Sequence, residues 1–257
     1  MRLRIAASLT LAVVAFSSIS LADSQAGTSS ASGSPVAASA ASVLSRIEGQ
    51  ISARLDPFSP LTRRWFLVIY AYQNEANDPA KSHVFASFIE ADGPSVWQQK
   101  WTSISWIPAT FYIDHKLCFY HSTPEKCTPV DGTNYSTYDT LDFAEDDRRQ
   151  LAVWGPYEIT EDLFNLGVQR RAELDDDLYK YIVVDYGYRE RGEAFNCMHA
   201  VSDIGGILET YGGPGDSGLG VWGFTGGERV VRHYKDKWKK FILDPLDPAK
   251  FWFAQMK

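Results

Sequence analysis

Three runs of alternating aromatic, β-branched and small polar residues constrain this chain most: "WFLVIYAY" (65–72), "HVFASFIEADG" (83–93) and "WTSISWIP" (101–108). Alternation of this kind puts successive side chains on opposite faces of a strand. Three such runs in close succession predict an antiparallel sheet. His83 opens the second run, and Phe85, Ser87 and Ile89 share its face. In the third run Ser103 and Ser105 alternate with Ile104 and Trp106. A histidine on a sheet, with a hydroxyl on the next strand to orient its ring, is a candidate general base. The bland counterpart is a strand histidine satisfied by a backbone carbonyl.

Downstream, "DLYKYIVVDYGY" predicts a strand over Tyr179 to Tyr186. "NCMHAVSDIGGIL" follows a polar loop and has Met198, Val201, Ile204 and Leu208 at helical spacing. Asn196 is a good N-cap, which places Cys197 in the first turn of that helix. There the thiol would meet free N–H groups and the positive end of the helix dipole, both of which favour the thiolate. A further helix is expected from Thr160 as N-cap, with Glu161 and Asp162 in its first turn. Leu163, Leu166 and Val168 would face its core side, with Arg170 and Arg171 exposed. The fold class read from these elements is α+β, an antiparallel sheet packed on a helix that bears a cysteine at its N-terminus.

The chain begins "MRLRIAASLTLAVVAFSSISLA", with basic Arg2 and Arg4, an apolar stretch from Ile5 to Phe16 and a small-residue exit. That is the layout of a secretory signal peptide, and the stretch is too short to span a bilayer, which takes about 20 residues. Cleavage after Ala22 or after Ala26 fits equally well. The expected division is a signal peptide at 1–22, a flexible Ala/Ser/Gly-rich leader at 23–45 and one globular domain at 46–257. The product would be exported, periplasmic or extracellular, and free of a transmembrane segment. The formal charge of the chain is −7. An acidic exported domain is a poor candidate for binding nucleic acid or anionic lipid through bulk charge. "LDFAEDDRRQ" and the triplet Asp175 to Asp177 read as solvated faces, without the ligand spacing of a calcium loop.

An exported chain with 3 cysteines leaves one over. Cys118 and Cys127 flank the turn-forming "STPE", so a local disulfide is their natural pairing. Cys197 then remains as a free thiol, either a buried inert side chain or a nucleophile. Of the 5 histidines, His199 lies two positions beyond Cys197 on a different side of the helix and reads as a packed, hydrogen-bonded residue. His115 and His121 flank the proposed hairpin and look like loop residues. His233, in "VVRHYKDKWKK", is expected to be exposed. His83 is the candidate partner.

"Asn-Cys-Met-His-Ala-Val" resembles the Asn-Cys-Glu-His signature of circularly permuted NlpC/P60 enzymes, the papain-like superfamily that includes lecithin:retinol acyltransferase-like proteins. In that group the histidine strand precedes the cysteine helix, and this chain has that order. The resemblance implies a permuted papain-like fold with Cys197 as nucleophile and His83 as base. Ser105 or Ser103 would orient His83, and N–H groups near Asn196 and Cys197 would hold an oxyanion.

Two rival readings stand beside this one. Gly215-Asp216-Ser217-Gly218 carries the letters around the nucleophile of trypsin-like proteases. However, "AKSHVFAS" lacks the cysteine-adjacent histidine those enzymes use, and dense glycine marks a loop. Alternatively, the 8 tryptophans could line a peptide or glycan groove in a non-enzymatic binding domain with Cys197 buried. The reading carried forward is cysteine-dependent hydrolysis or transfer of an amide or ester acyl group. Peptide, cell-wall peptide and lipid ester are all admissible substrates, and no metal or cofactor is implied.

Overall fold

The computed structural model describes residues 39–55, 63–78, 81–92, 98–110, 128–185, 187–205, 223–246 and 251–255. In chain order these form α1 (Ala40–Ser52), β1 (Arg63–Gln73), β2 (His83–Asp92), β3 (Gln98–Ile104), β4 (Trp106–Pro108) and β5 (Gly132–Asn134). They are followed by α2 (Thr137–Asp146), β6 (Gln150–Ile159), α3 (Glu161–Asp175), β7 (Lys180–Tyr181), β8 (Ala194–Phe195), α4 (Cys197–Ser202), α5 (Phe224–Lys237) and β9 (Phe251–Gln255), with a 3-10 turn at Lys239–Phe241. The class is α+β. The main sheet is antiparallel, ordered β3-β2-β1-β6-β9. The expected signal peptide at 1–22 lies outside the described residues, as do Cys118, Cys127, His115, His121 and Ser217.

Strict alternation along β1 explains why both sheet faces are covered. Phe66, Val68, Tyr70 and Tyr72 join Phe85 and Ile89 of β2 in a cluster closed by Val43, Ile47 and Ile51 of α1 and Leu141 and Ala144 of α2. The intervening Leu67, Ile69 and Ala71 join Val84, Ala86 and Phe88, and this second cluster is closed by side chains of α3, α4 and α5. Each buried large apolar side chain contributes roughly 1.5–3 kcal/mol. Placing α3 this close to the sheet requires a glycine: a Cβ at Gly167 would sit 2.6 Å from the Phe88 ring.

Several expectations need correction. Helix α1 starts at Ala40, inside the stretch expected as leader. Ser39 caps it through a reciprocal bond with Ser42, and its Ala40 and Val43 are buried. Small residues that read as linker are what a helix needs to lie close against a sheet. The run "WTSISWIP" is two strands, because after Ile104 the chain leaves β2 and pairs β4 with β5. The strand expected over Tyr179 to Tyr186 reduces to Lys180–Tyr181, paired in parallel with β8. Ile182, Val183 and Val184 are nonetheless fully enclosed. Their apolar character reflects burial of an irregular segment rather than strand pairing.

Helix α3 begins where expected, with Thr160 as its cap. Arg170, expected to be exposed, is buried. Its guanidinium lies over the rings of Tyr179 (5.3 Å) and Phe195 (4.9 Å) and donates to the Asp203 carbonyl. His233, also expected at the surface, is buried on the inner face of α5, with Nε2 2.9 Å from the Ser202 carbonyl.

Candidate active site around Cys197

The short helix α4 is enclosed along its whole length. A helix of this length is unstable alone, since nucleation costs more than so few bonds return. Polar groups from other elements therefore hold its ends. At the start, Asn196 adopts extended geometry (φ −88°, ψ 175°) and its Oδ1 accepts the His199 N–H at 3.0 Å. The Asn196 backbone N–H donates to Asp185 Oδ2 at 3.1 Å and its side-chain amide donates to the Val183 carbonyl at 3.2 Å. At the other end the Val201 carbonyl accepts from the Tyr234 hydroxyl, the Ser202 carbonyl faces His233 and the Asp203 carbonyl accepts from Arg170.

Cys197 is the first residue of this helix and is 1 % exposed. Its sulfur accepts the backbone N–H of Val84, and the N–H groups of Met198 and of Cys197 itself also point at it. The Tyr181 hydroxyl is hydrogen bonded to the same sulfur. The Val84 contact has a topological cause. Pairing of β2 with β3 stops at Ala86↔Ile104, so the thiol sits at the edge of β2 where the ladder ends. Burial pushes the thiol up to about 11, against the pull of the three N–H groups, and the charge of Asp185 adds to the rise. The expectation of a readily ionised thiol is thereby corrected. A dipole generated by so short a helix is outweighed by desolvation.

His83 is buried at the matching end of β2. Its Nε2 lies 2.9 Å from Ser105 Oγ, which is itself 2.7 Å from Thr140 Oγ1. The ring stacks on Phe85 (centroids 5.5 Å apart, planes 9° apart) and is tilted against Tyr72 at 5.4 Å. Burial lowers its pKa to about 3, so the imidazole is neutral. The structure thus joins His83 to Ser105. Ser103 serves a separate chain of hydroxyls, 2.6 Å from Thr137 Oγ1, which is also 2.6 Å from Ser87 Oγ.

Cys197 and His83 approach β2 from different sides. His83 shares the face of Phe85 and Tyr72, whereas Cys197 packs with Val84 and Ala86 on the other. They meet at the strand's backbone: the N–H that reaches the sulfur is one peptide bond from the His83 α-carbon. No direct hydrogen bond between the two side chains is formed among the described residues.

Behind α4 lies a charged network that the sequence reading missed. His199 Nδ1 is 2.5 Å from Asp185 Oδ2. Burial opposes protonation of this ring, but the charge and hydrogen bond of Asp185, helped by Asp203, raise its pKa. Arg189 forms a buried ion pair with Asp203. The available signal was Asp185 itself, a carboxylate inside the apolar run "YIVVDYGY". Asn196, a candidate oxyanion donor, has its N–H committed to Asp185. Asp175, Asp176 and Asp177 are exposed. Among the described residues, no group of three or more His, Cys, Asp or Glu is arranged to hold a metal ion, and no helix is long and apolar enough to cross a membrane. A scan against family models and searches of curated proteins and of solved structures find no match to this chain.

Proposed function

We propose that the protein is an exported cysteine-dependent hydrolase or acyltransferase acting on an amide or ester bond. The observation that carries this reading is the placing of Cys197. It begins a helix, and its sulfur meets the β2 backbone at Val84, the residue after His83, while the His83 ring stands on the other face of the strand with Nε2 held by Ser105 at 2.9 Å. With Nε2 engaged, Nδ1 is the nitrogen left to act as base. In the resting pair the thiol is protonated and the imidazole neutral. Ionising the thiol alone at neutral pH costs roughly 5 kcal/mol from its pKa of about 11, so its proton must leave during attack rather than before it.

The chemistry follows from that constraint. The sulfur adds to the substrate carbonyl as its proton leaves, and for that proton to reach Nδ1 the His83 ring must swing round the open end of β2 to the Cys197 face. Collapse breaks the bond to the amine or alcohol, which leaves with the proton returned by His83. The resulting thioester is then attacked by water or by an acceptor nucleophile, which regenerates the thiol. The Met198 N–H and the Tyr181 hydroxyl, both already directed at the sulfur, supply donors next to the developing oxyanion. Cys197→Ala and His83→Gln should each abolish turnover on a panel of activated esters and amides while circular dichroism stays unchanged. Turnover that survives Cys197→Ala sinks the reading.

A second reading rests on the same sulfur. At 1 % exposure and with a pKa of about 11, Cys197 also fits an unreactive core thiol in an aromatic-rich domain that binds a peptide or glycan. Thiol titration of the native protein separates the two. Reaction of Cys197 only after denaturation, together with no turnover on the panel, favours the binding domain.

A further inference from the structure

Residues 229–240 hold six Lys or Arg and a single acid, Asp236, in a chain whose formal total is −7. The rest of the chain therefore carries −12 against the segment's +5. Helix α5 sorts these charges by face. Val230, Val231, His233, Tyr234 and Trp238 are buried, and at 100° per residue the opposite side of α5 carries exposed Arg232 and Lys235 together with Asp236, with exposed Lys239 and Lys240 on the 3-10 turn that follows. Some exposed cations, Arg54, Lys180 and Arg191, have a carboxylate within 2.6–2.8 Å, and Arg63 has looser contacts at 3.8 and 3.9 Å; what marks this segment is the density of its cations. Within it, Arg232 has only a loose contact with Glu228 at 3.8 Å. Among the described residues, Lys235, Lys239 and Lys240 pair with no carboxylate. Lys240 instead stands over the Phe241 ring at 4.7 Å, and Leu243 just beyond is 61 % exposed.

We propose that this segment docks the protein on an anionic phospholipid bilayer. Exposed cations at the end of α5 and on the 3-10 turn after it, four against the one acid Asp236, offer an excess of positive charge to a plane of phosphate groups. The apolar face of α5 is committed to the core, so attachment is electrostatic rather than by helix insertion. The exposed Leu243, beside half-buried Phe241, gives the segment an apolar tip that can enter the headgroup region. That feature favours a bilayer over a dissolved polyanion. The surface is independent of Cys197 and of any chemistry there.

The test is co-sedimentation of the full chain with vesicles of phosphatidylglycerol and phosphatidylcholine, against vesicles of phosphatidylcholine alone. Binding should require the anionic lipid and weaken as salt is raised. A cation near such a surface strengthens attachment about fivefold. The triple change Lys235→Glu, Lys239→Glu, Lys240→Glu should thus weaken it by at least about 100-fold, with an unchanged circular dichroism spectrum. Equal binding to both vesicle types, an unaffected triple variant, or capture by polyphosphate without vesicle binding each overturns the proposal.

Discussion

The two sides of Cys197 are built from different chemistry. On the β2 side, His83 is held by neutral hydroxyls, Ser105 and then Thr140. On the far side of α4, Asp185, His199, Arg189 and Asp203 form a buried charged network. Both histidines are deeply buried, yet His83 is pushed down to about 3 and His199 is raised. The difference lies in the partner. A hydroxyl cannot compensate a buried imidazolium, and a carboxylate can. Charge is found where it holds backbone, and is absent around the neutral His83 ring.

Removing one charge from the far side should have the largest effect. Asp185 accepts from both Asn196 and His199, so Asp185→Ala frees the first turn of α4 and leaves the buried His199 ring and Asn196 N–H without their partner. A loss of about 3–5 kcal/mol is expected, measured as a lower denaturation midpoint in urea. An unchanged midpoint would mean that the network does not hold the helix.

The two histidines should also oppose each other in the pH dependence of stability. The folded pKa of His83 lies below its unfolded value of 6.5, so below pH 6.5 the unfolded chain takes up a proton that the folded state refuses. Stability should fall by about 2 kcal/mol from pH 7 to pH 5 through this group. His199 is raised, so its contribution is fully present below pH 6.5 and is lost as pH climbs through its folded pKa. His83→Gln should remove the acid-side loss and leave the alkaline-side loss in place. If the acid-side slope persists in that variant, another group causes it.

Ser105→Ala should have the smallest effect on folding, about 1 kcal/mol for a bond between neutral groups. If His83 is the base of the proposed reaction, the effect on turnover should be larger in kcat than in KM, because the Ser105 hydroxyl is bonded to the ring at Nε2. Equal loss in both would assign Ser105 to binding.

Legibility in the sequence followed the same physical division. Local rules were enough for β2, whose alternation begins at His83, and for the caps Asn196 and Thr160, because a short polar side chain ahead of an apolar run depends only on neighbours in the chain. They failed wherever tertiary burial decided. Arg170 and His233 were assigned to the surface because their residue types usually lie there, but the open carbonyls at the end of α4 draw both inside. "YIVVDYGY" was read as a strand from an apolar run that serves an irregular, enclosed segment. The thiol was expected to be acidic because it starts a helix, a local argument that the surrounding core reverses. The pairing of His83 with Ser105 was accessible from the alternation of neighbouring strands.

Trapping the acyl intermediate tests most directly whether the neutral side of Cys197 is a catalytic pair. The protein would be mixed with p-nitrophenyl acetate at pH 7.5, quenched in acid and mapped by peptide mass spectrometry, beside His83→Gln and a urea-unfolded control. The expected result is an acetyl group on Cys197 in the native protein, formed at least about 100-fold more slowly in His83→Gln, with the unfolded chain no faster than the variant. Acetylation of Cys197 only in the unfolded chain, or at the same rate with and without His83, would contradict it.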